Sequence, residues 1–546
     1  MRIVRPLLRL TFSRRSLTGR AAGATGRALE ERLNIASGLR KQLDKAFPSN
    51  WSFMLGEIAL YSFIVLVLTG TFLTFFFDPS MARVHYRGSY VPLQGVDMSR
   101  AYASSLQLSF DVRGGLLVRQ VHHWAALVFT AAMIVHMCRI FFTGAFRKPR
   151  ELNWLIGLTM LMLGIIEGFA GYSIPDDLLS STGLRVAFSI VESIPVIGSW
   201  LAFLIWGGNY PGTEIIGRLY IAHVLLIPGL IAVLIGAHLS LIIRQKHTDF
   251  PAAGRTEQTV SGERLYPAYG LKSTGFFLIL IAVLGALGGL AQINPIWLWG
   301  PYDPARQTSG AQPDWYIGFL EGSLRLFPPI EIHLFHHTIS PIFWPTVALP
   351  VVLFLLALSY PFLERRLSGD HEWHNLLQRP RDAPARTALG AMALSFWMVL
   401  NVAWADDIMA KAFHLNMDSL VWFLRIAVIV APPVVFFFTY WMCLGLEEHD
   451  REVLSEGIET GMLRRLPDGD YVEAHQPLGP VDSDGEGILS YAGAPVPKRM
   501  NELLPHAVSN GFLRPRSKAA RHSPLSVNQS ENQPDPGSVR PKRRSR

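Results

Sequence analysis

The chain has 546 residues, 50% of them hydrophobic and 17% charged, with a net charge of +8 and a mean hydropathy of +0.25. An ordinary soluble protein is about a quarter charged, so this composition excludes a typical cytosolic enzyme and turns the positive charge away from nucleic acid as a partner. The two cysteines, Cys138 and Cys443, lie in apolar runs without a Cys-x-x-Cys, which excludes a disulfide scaffold, a zinc ribbon and covalently attached c-type haem.

The positive charge is concentrated at the start of the chain. Residues 1–50 hold 11 Lys/Arg against 3 acids, and the remainder is close to neutral. The first twenty residues, rich in Arg and Ser, resemble a transit peptide. The preferred reading is a basic arm on the anionic cytoplasmic leaflet. Eight apolar runs follow, near 56–77, 119–142, 153–174, 215–243, 274–292, 345–363, 387–405 and 419–445. A helix of about 20 residues crosses a bilayer, so the predicted fold is all-α, a polytopic membrane protein whose helices one to four form a bundle. The seventh run is barely long enough.

Loop charges orient these spans. With the N-terminus inside, the inner loops carry Arg147, Lys148 and Arg150, then Arg244, Lys246, Arg255, Arg264 and Lys272, then Arg365, Arg366, Arg379, Arg381 and Arg386. Of the outer loops, 175–214 holds only Arg185, 293–344 holds Arg306 and Arg325, and 406–418 holds Lys411. This alternation follows the positive-inside rule and places both termini in the cytoplasm. Residues 447–513 are acidic, with 13 Asp/Glu against 5 Lys/Arg, whereas 514–546 are basic and rich in Ser, Pro, Asn and Gln. That composition predicts disorder over the last 33 residues. The expected division is a basic arm (1–50), a four-helix membrane domain (51–250), a second membrane domain with an outer loop and spans five to eight (251–446), and a cytoplasmic tail (447–546).

Span two carries His122 and His136, 14 residues apart. At 100° and 1.5 Å per residue both rings leave nearly one face, about 21 Å apart along the axis. Span four carries His223 and His238, 15 apart. Both spans run from outside to inside, so His122 shares the outer level with His223, and His136 the inner level with His238. Facing histidines at one depth are the axial pair that a b-type haem requires, and the pattern predicts two stacked bis-histidine haems. Single buried histidines more commonly bond to neighbouring helices, but two pairs in matching order point to iron. The extra residue in span four rotates His238 by about 60°, and Pro228 between the two histidines offers a place to rewind the helix. His123 points about 100° from His122 and receives no role.

Glycines repeat the same interval: Gly56 and Gly70 on span one, Gly157 and Gly171 on span three. Lacking a Cβ, they permit close approach of a bulky group, although glycine is also a general packing residue in membranes. Arg119, Arg218 and Arg139 stand near the histidines as cations for haem propionates or as interfacial anchors. Glu167 in span three is a buried carboxylate with two readings, a proton relay or a partner of Arg425 on span eight.

These residues resemble the cytochrome b family, the membrane core of quinol–cytochrome c reductase (bc) complexes, over about residues 50–445. The resemblance rests on Arg-x-x-His…His at 119–136 and on Gly171-Tyr172-x-x-Pro175. It continues through Ile194-Pro195, Trp206-Gly207-Gly208, Arg218…His223 and Pro313-Asp314-Trp315-Tyr316. It implies that His122 and His223 hold a low-potential haem, and His136 and His238 a high-potential one. It also implies that Pro313, Asp314, Trp315 and Tyr316, with Gly183 and Pro175, form the outer quinol-oxidising site, where Asp314 accepts a proton. The family's usual acid there is Glu, so Asp is a departure, and the bland role for Asp314 is a helix cap. Asp176-Asp177 departs from the family's Trp-Gly.

For the inner quinone site the resemblance offers Arg244, His247, Asp249, Lys272 and Ser273. Ser273 stands where the family has an acid after the lysine, which leaves the proton donor unassigned. The 15-residue histidine spacing and the tail look like the actinobacterial branch. That implies menaquinol as substrate, a Rieske iron–sulfur subunit, a dihaem cytochrome c subunit and an aa3-type oxidase as partners, and a dimeric complex in the bacterial plasma membrane. A dihaem membrane anchor of another oxidoreductase is the nearer alternative, and a secondary transporter the more distant.

Overall fold

The structure, a computed structural model, describes residues 44–47, 50–251, 255–258, 262–306, 312–334, 337–456, 458–476, 490–491 and 494–495. Most of the expected basic arm, residues 1–43, and the segment 514–546 lie outside the described residues.

Eight helices are long and apolar enough to cross a membrane: Trp51–Thr74, Gly115–Phe142, Glu151–Ser173, Ile215–Gln245, Leu265–Leu290, Trp344–Ser368, Pro384–Trp404 and Met417–Val453. In chain order they are spans one to eight. The all-α expectation holds, since the strands among the described residues form only two-stranded ladders. Span five begins at Leu265, earlier than its apolar run suggested, because a turn over Leu265–Tyr269 leads into it. The helix of span eight continues to Glu456, so the tail begins as helix rather than at residue 447. There Arg451 pairs with Glu447 at 2.9 Å and Glu448 at 3.0 Å, the side-chain spacing that supports a solvated helix end. The strands Ile458–Arg465 and Tyr471–Gln476 follow as an antiparallel hairpin.

Residues 1–478 form one compact unit. In it, span two packs against spans one and three, span three against span four, and span four touches span one, closing a four-helix ring. Span five lies on spans one and two, span six on span three, and span seven on span eight. Phe129 and Met133 of span two meet Met160 of span three in a buried cluster. Phe129 is seven residues from both His122 and His136, and Gly164 opposes its ring. The second unit, 479–546, contributes a short ladder of Ser490–Tyr491 with Ala494–Pro495.

Span four resolves its odd spacing locally. Ala222–Leu226 form a π-helical turn in which the Ile227 amide bonds back to the Ala222 carbonyl, five residues earlier. A π turn accommodates one extra residue without rotating the rest of the helix. Pro228, with no N–H to give to the turn before it, sits directly after this turn.

In the outer half, the helix Gly318–Leu326 leans on span seven through glycine. A Cβ on Gly322 would overlap the Leu400 carbonyl oxygen and lie 3.0 Å from the Trp404 nitrogen. These are backbone atoms and no rotamer relieves them. Gly322→Ala is expected to cost about 1–3 kcal/mol, read as a lower Tm of the purified protein. An unchanged Tm would contradict this packing.

Candidate functional site

The structure brings His122 and His223 together, with ring centroids 6.2 Å apart. Two imidazoles bound to one metal through nitrogen bonds of about 2 Å place their centroids about 6 Å apart, so this separation fits a shared iron. Thr69 Oγ1 lies 2.8 Å from His122 Nδ1 and gives its own proton to the Val65 carbonyl at 2.7 Å. The hydroxyl therefore accepts from Nδ1–H, which leaves the lone pair of His122 on Nε2. On the other side, His223 Nδ1 lies 2.9 Å from the Glu167 carboxylate and 3.2 Å from its backbone oxygen. Glu167 thus orients a histidine. Its alternative partner Arg425 is elsewhere, donating to the Leu326 carbonyl at 3.0 Å and lying over the Trp422 ring.

His136 and His238 are electrostatic neighbours. The Nδ1 atoms of both are buried without a hydrogen-bond partner among the described residues. Three of the four expected glycines face histidine rings. A Cβ on Gly70 would sit 3.2 Å from His122, one on Gly56 would sit 3.3 Å from His136, and one on Gly171 would overlap His223. Gly157 instead faces the Met137 sulfur.

The three arginines divide. Arg119 donates to the Asn294 carbonyl at 3.1 Å through Nη2, while its buried Nη1 has no partner among the described residues. Arg139 lies over the Phe53 ring at 4.2 Å, with Nε and Nη2 likewise unpartnered. Both retain donors for an anionic group such as a propionate, because buried donors without partners are rare. Arg218 is exposed and donates to the Leu204 and Ile205 carbonyls, so the carbonyl end of the helix Gly198–Trp206 already engages it. Paired imidazoles, close glycines and free guanidinium donors together fit b-type haem.

The outer loop places Asp314 beside span two. His123 Nε2 lies 3.0 and 3.1 Å from the two Asp314 oxygens, and Tyr316 donates its hydroxyl to Asp314 Oδ2 at 3.2 Å. Asp314 is not a side-chain helix cap; the Ile317 amide bonds to its backbone oxygen, not to its carboxylate. Burial and the neighbouring Asp314 push the Tyr316 phenol well above its usual range, so it stays protonated and donates. Gln312 anchors the loop by donating to Asp407 Oδ1 at 2.5 Å and to the Trp404 carbonyl at 3.3 Å. Pro313 is half-buried after it, and Trp315 packs edge-on against Trp397. Tyr172 reaches the Gln312 carbonyl at 3.4 Å and also meets Gly183, on the helix Leu178–Glu192.

The Asp176-Asp177 departure is architectural. Asp177 caps that helix, accepting from Leu179 and Ser180 amides at 3.1 and 3.3 Å. Asp176 accepts from Ser181 at 2.8 Å and binds the Tyr302 amide through its carbonyl at 3.2 Å. Pro175 leads into this corner half-buried. Burial lifts the Asp176 carboxyl to about 6 against the pull of Ser99 and Ser181.

At the inner end the expected residues separate. Lys272 is exposed and pairs with Glu263, and Asp249 is held by Arg255 at 2.6 Å. Arg244 is exposed. His247 is half-buried against the Phe47 ring at 4.4 Å, and its Nε2 is buried without a partner among the described residues. Burial, with Arg150, Arg139 and Lys45 nearby, lowers its imidazole to about 4 and keeps it neutral. Ser273 donates to Glu57 Oε2 at 3.1 Å, in a group with Tyr61 and Tyr269. His123 and Glu57 are two titratable participants to which sequence reasoning gave no role. Each lies next to a residue that received one, His122 and Gly56, and only a long-range contact reveals its partners.

Comparisons with known proteins place the chain among its relatives. A family model described as Cytochrome b(N-terminal)/b6/petB matches residues 127–301. The chain is similar to the cytochrome bc1 complex cytochrome b subunit of Mycobacterium tuberculosis, with 56% identity over 87% of each chain. It is also similar to that of Corynebacterium diphtheriae, 53% over 88% of each, and that of Streptomyces coelicolor, 50% over 82% of each. Among solved structures, a chain titled Hyperthermophilic respiratory Complex III shares the fold. Its TM-score is 0.57 at 21% identity, covering 76% of this chain and 99% of the other.

A bulkier residue at position 171 tests the outer pair directly. Gly171→Val is expected to displace His223 and to lower the b-type haem absorbance of the purified protein. Unchanged absorbance would contradict the placement of His223 against this glycine.

Proposed function

The chain belongs to the cytochrome b subunits of bc1 complexes, as its actinobacterial relatives establish, and from that membership we propose how its residues share the work. It is a multi-pass membrane subunit of a respiratory oxidoreductase complex, in a family that binds b-type haem. The proposal is two haems, held by His122 with His223 and by His136 with His238. The single observation that carries it is the His122–His223 separation of 6.2 Å with Nδ1 of each ring already engaged. Bound there, haem supplies one-electron transfer between the outer and inner levels.

The remaining chemistry belongs to protein groups. At the outer end quinol loses two electrons and two protons. His123 and Asp314 form a proton-accepting dyad, since a carboxylate fixed beside an imidazole takes a hydroxyl proton and shares it. Tyr316 holds the carboxylate in place, and Gln312 and Tyr172 hold the loop. Pro313, Trp315, Gly183 and Pro175 shape the apolar wall. Arg119 and Arg139 have donors left for propionates, while Arg218 steadies the outer helix instead. At the inner end His247, neutral and with Nε2 free of a described partner, presents a group to a quinone carbonyl.

The substrate we favour is menaquinol. The partners are a Rieske iron–sulfur subunit, a dihaem cytochrome c subunit and an aa3-type oxidase, in a dimeric assembly. No group of three or more His, Cys, Asp or Glu that could hold a metal ion occurs among the described residues, and the proposed partners carry the iron–sulfur and c-haem centres. The loop charges support a plasma-membrane orientation with both termini cytoplasmic.

Two variants test this reading. His136→Ala should lose the inner haem signal and stop quinol oxidation after the first turnover, measured by difference spectra and stopped flow. Retention of both signals sinks the ligand assignment. Asp314→Asn should keep both signals while lowering quinol:cytochrome c activity roughly 10²-fold; wild-type activity would remove Asp314 from proton transfer.

A further inference from the structure

The inner end of the protein holds a carboxylate that the proposed function leaves without a role. Glu57 follows Gly56, the glycine packed against His136, so it leaves span one at the level of the inner histidine pair. Its side chain turns toward span five, where three hydroxyls surround it. Tyr61 and Ser273 lie 3.2 and 3.1 Å from Oε2, and Tyr269 donates to Oε1. Tyr61 and Ser273 are also hydrogen-bonded to each other, so one of the two hydroxyls gives its proton to the other and the other gives its own to the carboxylate. Three hydroxyls from two spans thus converge on one half-buried carboxyl. A membrane-embedded carboxylate is costly and is kept where it has work to do.

The group continues toward His247. Tyr269 packs on Phe47 at 5.2 Å, and Phe47 packs on His247 at 4.4 Å. It also continues toward water, because Tyr266 and Lys272, on either side of Tyr269 in sequence, are exposed. The charged groups at this end are Arg139 on span two, which lies over Phe53, Lys272 with its partner Glu263, and Arg150 and Lys45 beside His247. None of them pairs with Glu57 among the described residues.

We infer that Glu57 is the proton-loading residue of the inner quinone site, supplying through Tyr269 and Ser273 the protons that a quinone takes up on reduction. This rests on the proposed function, which brings electrons to the inner end. Reduction of quinone to quinol adds two electrons, delivered one at a time from quinol oxidation at the outer end. It also adds one proton to each carbonyl oxygen. In each transfer the Glu57 carboxyl gives up its proton, a hydroxyl of the cluster passes one on to the quinone oxygen, and the carboxylate reloads from water at the start of span five. The serine that follows Lys272 is then not a lost acid. It is a relay hydroxyl, and the acid stands on span one instead.

The test follows re-oxidation of the inner haem by an added menaquinone analogue, in stopped flow, on the purified complex after quinol has reduced it. In Glu57→Gln, with both b-haem signals retained, re-oxidation should slow roughly 10²-fold and lose its dependence on pH. Glu57→Asp should restore part of the rate and the pH dependence, which a merely structural role would not produce. Wild-type rate and pH profile in Glu57→Gln overturn the inference. If that variant does not assemble, Tyr269→Phe carries the same expectation of slower, flatter re-oxidation, and wild-type behaviour there overturns it equally. A wild-type complex without two b-haem signals would instead strike the underlying function, so the two failures are distinguishable.

Discussion

The constraint on which the rest of this structure depends is the depth of four histidines. In a bilayer each backbone N–H and C=O must find its partner within the protein, so spanning segments are helices. Helical rise then converts residue number into depth. Fourteen residues on span two set the two levels about 21 Å apart, and every element that meets those levels must leave space there. Gly56, Gly70 and Gly171 do so by lacking a side chain against His136, His122 and His223. Phe129, midway between the levels and opposed by Gly164, fills the space that no histidine uses. Span four carries fifteen residues over the same interval and absorbs the surplus in one π turn, at the position of His223 itself.

The two ends of the bundle solve different problems with different chemistry. At the outer end a carboxylate from a loop meets an imidazole from a span, and the loop is held by Gln312, Tyr172 and the Asp176-Asp177 corner. At the inner end a carboxylate from a span meets hydroxyls from the next packed span. Under the proposed function, an electron moving inward works against a membrane potential at about 2.3 kcal/mol per 100 mV, and the two ends would release and take up protons on opposite sides. Rigid positioning matters at the outer end, where Tyr316 is almost fully buried. The inner cluster has exposed residues beside it, Tyr266 and Lys272, which is what the inferred proton uptake from water calls for.

Inner-loop arginines show how one residue answers to two constraints. Arg147 and Arg150 follow the charge rule for topology, yet both are also clamps. Arg147 donates to the Leu376 carbonyl at 2.9 Å, and Arg150 to Asn375 Oδ1 at 2.8 Å. These contacts tie the loop after span two to the segment after span six. Composition reports the sign of such a loop; it does not report what the guanidinium touches.

The sequence by itself determined what depends on local period and composition: eight spans, their likeness to a known family, and histidines paired by depth. Those properties follow from helix rise and from the cost of polar groups in hydrocarbon, both of which act within one segment. Only the tertiary structure decided which partner each polar side chain takes. His123 lies 100° from a residue whose role was legible, yet its own role comes from Asp314, 191 positions away. Glu167 read as a proton relay or a partner of Arg425, and packing set its carboxylate against His223 instead. Of the inner-site residues, Lys272 and Asp249 were taken up by ion pairs, while Ser273 joined an acid from the first span. Periodicity along one helix carries no information about the face of another helix that will lie against it, and that pairing is where the site was made.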